Sequence, residues 1–266
     1  MVIEGKGHTP VSGLLTEARS PTCLLVLGHG AGAPMTHPWM EAAAEALAAE
    51  GISTLRYNFQ YAEAGRKRPD HLRRLLAVVA SALRAGEECA NGLPLFAGGK
   101  SMGGRMSSTL VAERARAAAL VGADAIGRPL RSADEFRTDR HPNPARTMSA
   151  GTKGGDAECP AGLVFLGFPL HAPGRRESVR GDHLMHVPRP MLFHQGTRDR
   201  LADLELLRPL LERVGPHATL HVLEGGDHSL RMLKRLGRTQ EDVLAEVARV
   251  TRSWVDTVLG TTPGSS

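Results

Sequence analysis

The sequence predicts an α/β fold: a mostly parallel sheet with helices on both faces. Two observations carry that expectation. Short continuous apolar runs (Cys23 to Leu27, Ile52 to Tyr57, Leu93 to Ala97, Gly162 to Phe168 and Pro190 to Gln195) have the length and saturation of strands buried on both sides. Between them lie segments whose apolar residues recur at helical spacing, so strand and helix alternate along the chain. No internal repeat and no second domain are visible, so residues 1–266 are expected to form a single domain.

Taken in order, Val11 to Glu17 is an expected edge strand. Cys23 to Leu27 leads into the glycine-rich turn Gly28-His29-Gly30-Ala31-Gly32-Ala33. Pro38 to Glu50 reads as an Ala-rich helix, with Pro38 in its first turn and Gly51 as its stop. Ile52 to Tyr57 is the next strand, followed by a loop from Asn58 to Gly65. From about Pro69 a helix places Leu72, Leu75, Leu76, Val79 and Leu83 on one face with arginines opposite. Leu93 to Ala97 is the strand before Ser101, and Met102 to Leu120 the helix after it. Beyond Pro190 to Gln195 comes Gly196-Thr197-Arg198-Asp199-Arg200, then a Leu-rich helix that Pro209 is expected to kink or split. Thr219 to Glu224 alternates as a strand. The last helix opens with a capping box from Thr239 to Asp242 and carries a stripe of Val243, Val247, Val250 and Trp254. A polar tail from Thr261 is expected to fray. Gly122 to Pro160 is rich in Arg, Asp, Gly, Pro and Ser and lacks periodicity, so a flexible insertion is expected at 123–159. Its composition favours a disordered surface insertion over a lid.

Composition removes several function classes. A formal net charge of +5 raises the question of nucleic acid, but no dense basic run exists and aromatics are only 4%, too few for a base-stacking surface. Nucleic-acid binding is therefore not expected. No apolar run reaches the length of a membrane span, so no membrane association is expected either. The three cysteines (Cys23, Cys89, Cys159) are odd in number and show no metal or redox spacing. With no apolar leader after Met1, a cytoplasmic protein without metal or cofactor is the expectation. Oligomeric state is not legible.

The chain is organised around Leu95-Phe96-Ala97-Gly98-Gly99-Lys100-Ser101-Met102-Gly103-Gly104-Arg105. Strand, very tight turn and helix start follow one another, and Gly99-x-Ser101-x-Gly103 is the nucleophile-elbow pattern. Such a turn projects the serine hydroxyl above the sheet edge and leaves the Met102 N–H at the positive end of a helix. Lys100 reads as a solvated lysine facing the helix rather than as a group that tunes substrate charge.

In an open α/β sheet, ligands bind beyond the carboxyl ends of the strands. The turn after Cys23 to Leu27, Ser101, Asp199 and His228 each lie just past an expected strand, so they should converge. A serine hydroxyl needs a base within hydrogen-bond reach, and an imidazole that titrates near neutrality can take the proton and return it to a leaving group. His228 is the expected base. Asp199 is preferred over Asp203 and Asp227 as the acid that orients it, because the loop of the preceding strand normally carries that acid. The N–H groups of Met102 and Ala31, with Gly32 as the alternative to Ala31, are the expected oxyanion hole. His29, Gly30, Gly32, Phe59 and Tyr61 are the expected substrate-binding residues. Of these, His29 shapes the oxyanion loop rather than acting as a base, and Phe59 and Tyr61 read equally as pocket walls or packing.

These motifs, with Phe165-Leu166-Gly167-Phe168-Pro169-Leu170-His171, Gln195 to Asp199 and Glu224-Gly225-Gly226-Asp227-His228-Ser229, resemble the bacterial predicted α/β-hydrolases akin to dienelactone hydrolase. That group includes eukaryotic relatives, one of them a subunit of a chromatin-modifying acetyltransferase complex. The resemblance implies an α/β-hydrolase fold with little or no cap and a Ser101, Asp199, His228 triad. Two departures stand out: dienelactone hydrolases proper use a cysteine where this chain has Ser101, and the 123–159 segment is longer than the family's usual connection. The function expected is a serine hydrolase, a carboxylesterase or thioesterase acting on a small ester or thioester through an acyl-enzyme. The alternative is a non-catalytic binding or scaffolding module built on the same fold.

Overall fold

The computed structural model describes residues 1–5, 9–126 and 159–261. The expectations of a flexible insertion at 123–159 and of a frayed tail lie almost wholly outside these residues. Eight strands form one sheet in the order β1-β2-β4-β3-β5-β6-β7-β8. They are β1 (Val2–Ile3), β2 (Val11–Thr16), β3 (Cys23–Gly28), β4 (Ile52–Tyr57), β5 (Leu95–Lys100), β6 (Leu163–Leu166), β7 (Met191–Gly196) and β8 (Ala218–Leu223). From β4 through β8 all neighbours are parallel, whereas β1 and β2 pair antiparallel. The expected edge strand at Val11 to Glu17 therefore lies one place in from the edge. The two-residue β1 covers it, too short to leave a period in the sequence.

Among the described residues six α-helices flank the sheet: α1 (Pro38–Ala49), α2 (Gln60–Glu63), α3 (Leu72–Ala90), α4 (Met102–Ile126), α5 (Leu204–Val214) and α6 (Gln240–Leu259). The pleat distributes strand residues between two cores. Leu24, Val26, Phe165 and Phe193 enter the cluster under α3, α4 and α5, while Cys23, Leu25, Leu27, Val164 and Leu192 enter the one under α1 and α6. Burial on both faces is why these runs are apolar without alternation. Helix ends follow local chemistry. His37 caps α1 by accepting from Trp39 N–H, and Thr239 and Asp242 exchange both bonds of the capping box on α6. Pro209 does not split α5, which runs through it, and α2 replaces part of an expected loop.

The chain adds β4 on one side of β3 and then crosses back to place β5 on the other side. That reversal opens a crevice between the carboxyl ends of β3 and β5, where α/β sheets bind ligands. Among the described residues, no helix is long and apolar enough to cross a membrane.

Candidate active site

Ser101 occupies the turn between β5 and α4 with φ of 50°, a left-handed conformation that costs a non-glycine residue about 1–2 kcal/mol. The turn is held because its glycines lie against β3. A Cβ on Gly99 or on Gly103 would stand 2.2 Å from the Gly28 carbonyl oxygen, so only hydrogen at both positions lets the elbow close. Ser101 N–H donates to Leu166 O (3.2 Å), and Ser101 O accepts from Arg105 N–H (3.1 Å), fixing the turn to β6 and to the first turn of α4.

His228 follows β8 and reaches Ser101 across the sheet edge, with Nε2 2.8 Å from Oγ. Its Nδ1 lies 2.7 Å from Asp199 Oδ2, in the loop after β7. The Asp199 side chain is fully buried. It also accepts from Gln195 Nε2 at Oδ2 and from Leu201 N–H (2.7 Å) at Oδ1. Gln195 is oriented in turn, because its Oε1 accepts from Phe168 N–H (3.0 Å) and leaves its amide N–H groups for the carboxylate. A carboxylate facing Nδ1 requires a proton there, so Nε2 carries the lone pair that can take the serine proton. The competing acids are engaged elsewhere. Asp203 caps α5 through Glu205 N–H and pairs with Arg176, and Asp227 Oδ1 accepts from the backbone N–H of Ser229 and Arg231.

The loop after β3 forms the opposite wall. Buried His29 accepts at Nε2 from Phe59 N–H (3.1 Å) and donates from Nδ1 to Gly30 O (2.7 Å). Burial pushes its pKa down to about 4, so it holds this loop as a neutral ring. Tyr61 Oη donates to Ala31 O (3.1 Å). Phe59 and Tyr61 are 0% and 2% exposed and stand behind the loop, so as pocket walls they are corrected. They pack edge-on or stacked with His29 and each other and position the residues that do face the cavity. Gly30, Ala31 and Gly32 line that cavity, which has a volume of about 370 Å³ and exposes Ser101 and His228. Met102 opens α4 beside Ser101. Among the described residues, no cluster of His, Cys, Asp and Glu is arranged to hold a metal ion.

Several residues of the site escaped sequence reasoning. Trp39 lines the cavity and donates from Nε1 to Ser229 O (2.9 Å), joining α1 to the histidine loop. Lys100 is not solvated on a helix: it ends β5, lines the cavity and donates from Nζ to His228 O (3.2 Å) and Ser229 Oγ (3.3 Å). For Gln195, a polar residue near the end of a fully buried strand was the available signal.

Comparison with known proteins agrees with the fold. The sequence matches the family described as an alpha/beta hydrolase domain over residues 21–150 and 144–256, and the chain belongs to that family. Among solved structures, an alpha-beta serine hydrolase homologue from Coxiella burnetii superposes with a TM-score of 0.62 at 16% identity, covering 95% of each chain. Est1E from Butyrivibrio proteoclasticus gives 0.63 at 12% identity over 98% of each chain. Dienelactone hydrolase from Anabaena variabilis gives 0.60 at 18% identity, covering 97% of this chain and 95% of the other. At such identities the likeness is one of fold.

Proposed function

We propose that this protein is a serine hydrolase that cleaves a small carboxylic ester or thioester through an acyl-enzyme on Ser101. The observation that carries the proposal is the continuous hydrogen-bonded chain Ser101–His228–Asp199 at the wall of an open cavity. Ser101 Oγ attacks the carbonyl carbon while its proton passes to His228 Nε2. Asp199 holds the imidazolium that results. The carbonyl oxygen, now an anion, is received by the N–H groups of Met102 and Ala31, each such donor contributing about 3 kcal/mol in the transition state. Collapse breaks the bond to the leaving group, which takes the proton from Nε2. Water then repeats the sequence on the acyl-serine, with His228 again as base, and releases the carboxylic acid.

The closer kinship to dienelactone-hydrolase-like proteins, the single domain over 1–266 and a cytoplasmic setting belong to the same reading. The free thiols of Cys23, Cys89 and Cys159 suit that setting. Labelling with a fluorophosphonate probe tests the function. The wild-type protein should be labelled, and Ser101→Ala and His228→Ala should not. A folded wild type that takes no label would overturn the hydrolase reading in favour of a binding module.

A further inference from the structure

The residue before the nucleophile holds a group that the triad does not account for. Lys100 carries a half-buried ammonium at the end of β5, and what surrounds it is specific. Its Nζ donates to the His228 carbonyl and to the Ser229 hydroxyl, and lies 4.7 Å from the centre of the Trp39 ring. Trp39 also holds this loop, through the Ser229 carbonyl. Both residues that follow the β8 turn are thus tied to β5 and α1 by groups reaching across more than a hundred positions of sequence. Within this turn Leu230 takes a left-handed φ of 58° and is buried in the core, and the stretch from Asp227 to Arg231 is further braced by its own backbone, by the Asp227 carboxylate and by the His228 bonds to Ser101 and Asp199.

We propose that Lys100 is a positioning residue for the reaction: its ammonium, bonded to His228 O and Ser229 Oγ, keeps the imidazole aligned between Ser101 and Asp199. The proposal rests on the serine-hydrolase reading above and goes beyond it by assigning a role to a residue outside the triad. Two features favour an ammonium here over a neutral donor. Its hydrogen-bond acceptors are uncharged, so a full charge strengthens both bonds. The indole face also receives a cation better than an amine.

The charged state has a definable range. Burial pushes the Lys100 pKa down to about 8, with Asp199 and Asp227 opposing that fall and Arg231 adding to it. The titratable groups facing it are Asp199 from the β7–α5 loop, Asp227, His228 and Arg231 from the loop after β8, and His37 at the start of α1. The loop Gly30 to Ala33 contributes none. As pH rises through about 8 the ammonium becomes an amine, both bonds weaken, and alignment of His228 weakens with them.

The test measures the second-order rate constant for fluorophosphonate labelling of Ser101, so no substrate need be known, across about pH 6 to 10 in wild type, Lys100→Met and Lys100→Arg. Wild type should lose reactivity with a midpoint near 8. Lys100→Arg keeps a charge at every pH tested and should show no such alkaline fall. Lys100→Met should label about tenfold more slowly than wild type at neutral pH, a loss that arginine partly restores. An unchanged rate in folded Lys100→Met overturns the proposal, and so does the same alkaline midpoint in Lys100→Arg as in wild type. Should Lys100→Met not fold, the Lys100→Arg profile alone decides. Absence of label in wild type is a different outcome, since it sinks the parent reading.

Discussion

Replacing Asp199 with Asn removes one charge and one acceptor while leaving the shape of the side chain intact. Three donors converge on the carboxylate: His228 Nδ1 and Gln195 Nε2 on Oδ2, and Leu201 N–H on Oδ1. An amide offers them a single oxygen. That oxygen settles toward His228, where two donors meet, which turns the new NH2 against the Leu201 N–H. Gln195 cannot relieve the conflict by flipping, because its Oε1 is engaged by Phe168 N–H. Two donors facing each other in a buried site cost about 1–3 kcal/mol of stability. The effect on rate is separate. A unit charge about 4 Å from the imidazolium is worth about 4 kcal/mol at an effective dielectric constant of about 20, or about a thousandfold in kcat. Asp199→Asn should therefore lower kcat/KM for a 4-nitrophenyl ester about a thousandfold and lower Tm by several degrees, read by hydrolysis rates and circular dichroism. A variant within tenfold of wild type would refute the assignment of Asp199 as partner of the imidazolium.

Other consequences follow from the same geometry. Tyr61→Phe removes the hydroxyl that holds Ala31 O, and should cost about 1 kcal/mol of stability and several-fold in ester hydrolysis, because the oxyanion loop loosens. An unchanged rate would show that the loop holds without it. Gly103→Ala places a Cβ 2.2 Å from Gly28 O, so the elbow must shift. A loss of about 3 kcal/mol in urea unfolding is expected, and wild-type stability would mean the turn yields freely. Acid should destabilise the fold through its buried imidazoles. Unfolded, each takes a proton near the usual 6.5; folded, His29 does so only near 4 and His194 near 3, both held down chiefly by burial. Between those values the unfolded chain binds more protons, so their contribution is intact above about pH 6.5 and is lost as pH falls toward 4, about 2 kcal/mol each by about pH 5. A Tm that stays level from about pH 7.5 to 5 would contradict this.

The strands were legible because burial on both faces leaves a run of apolar residues that few other environments allow. The elbow was legible because its backbone geometry excludes a Cβ at Gly99 and Gly103, and that exclusion is written in the sequence as glycine. Asp199 and His228 could be found because each follows a strand, and strand ends share one edge. What the sequence did not carry was direction. Phe59 and Tyr61 looked equally like walls and packing; which side of the Gly30–Ala31 loop they occupy depends on how β4 sits beside β3. Lys100 looked solvated because nothing local reveals that its partners lie beyond β8, at His228 and Ser229. Gln195 shows the same limit: its role depends on Phe168 and Asp199 being brought to one strand end. Very short elements such as β1 and α2 are fixed by the strands they lie against rather than by their own composition.

A serine hydrolase of this design must become covalently acylated on Ser101. Rapid mixing with 4-nitrophenyl acetate, acid quench and mass spectrometry of the intact protein and its peptides reads this directly. The prediction is a burst of nitrophenol approaching one equivalent and an acetyl group on the peptide carrying Ser101, both absent in Ser101→Ala. Hydrolysis by Ser101→Ala at the wild-type rate, or an acetyl group found on another residue with Ser101 unmodified, would contradict it.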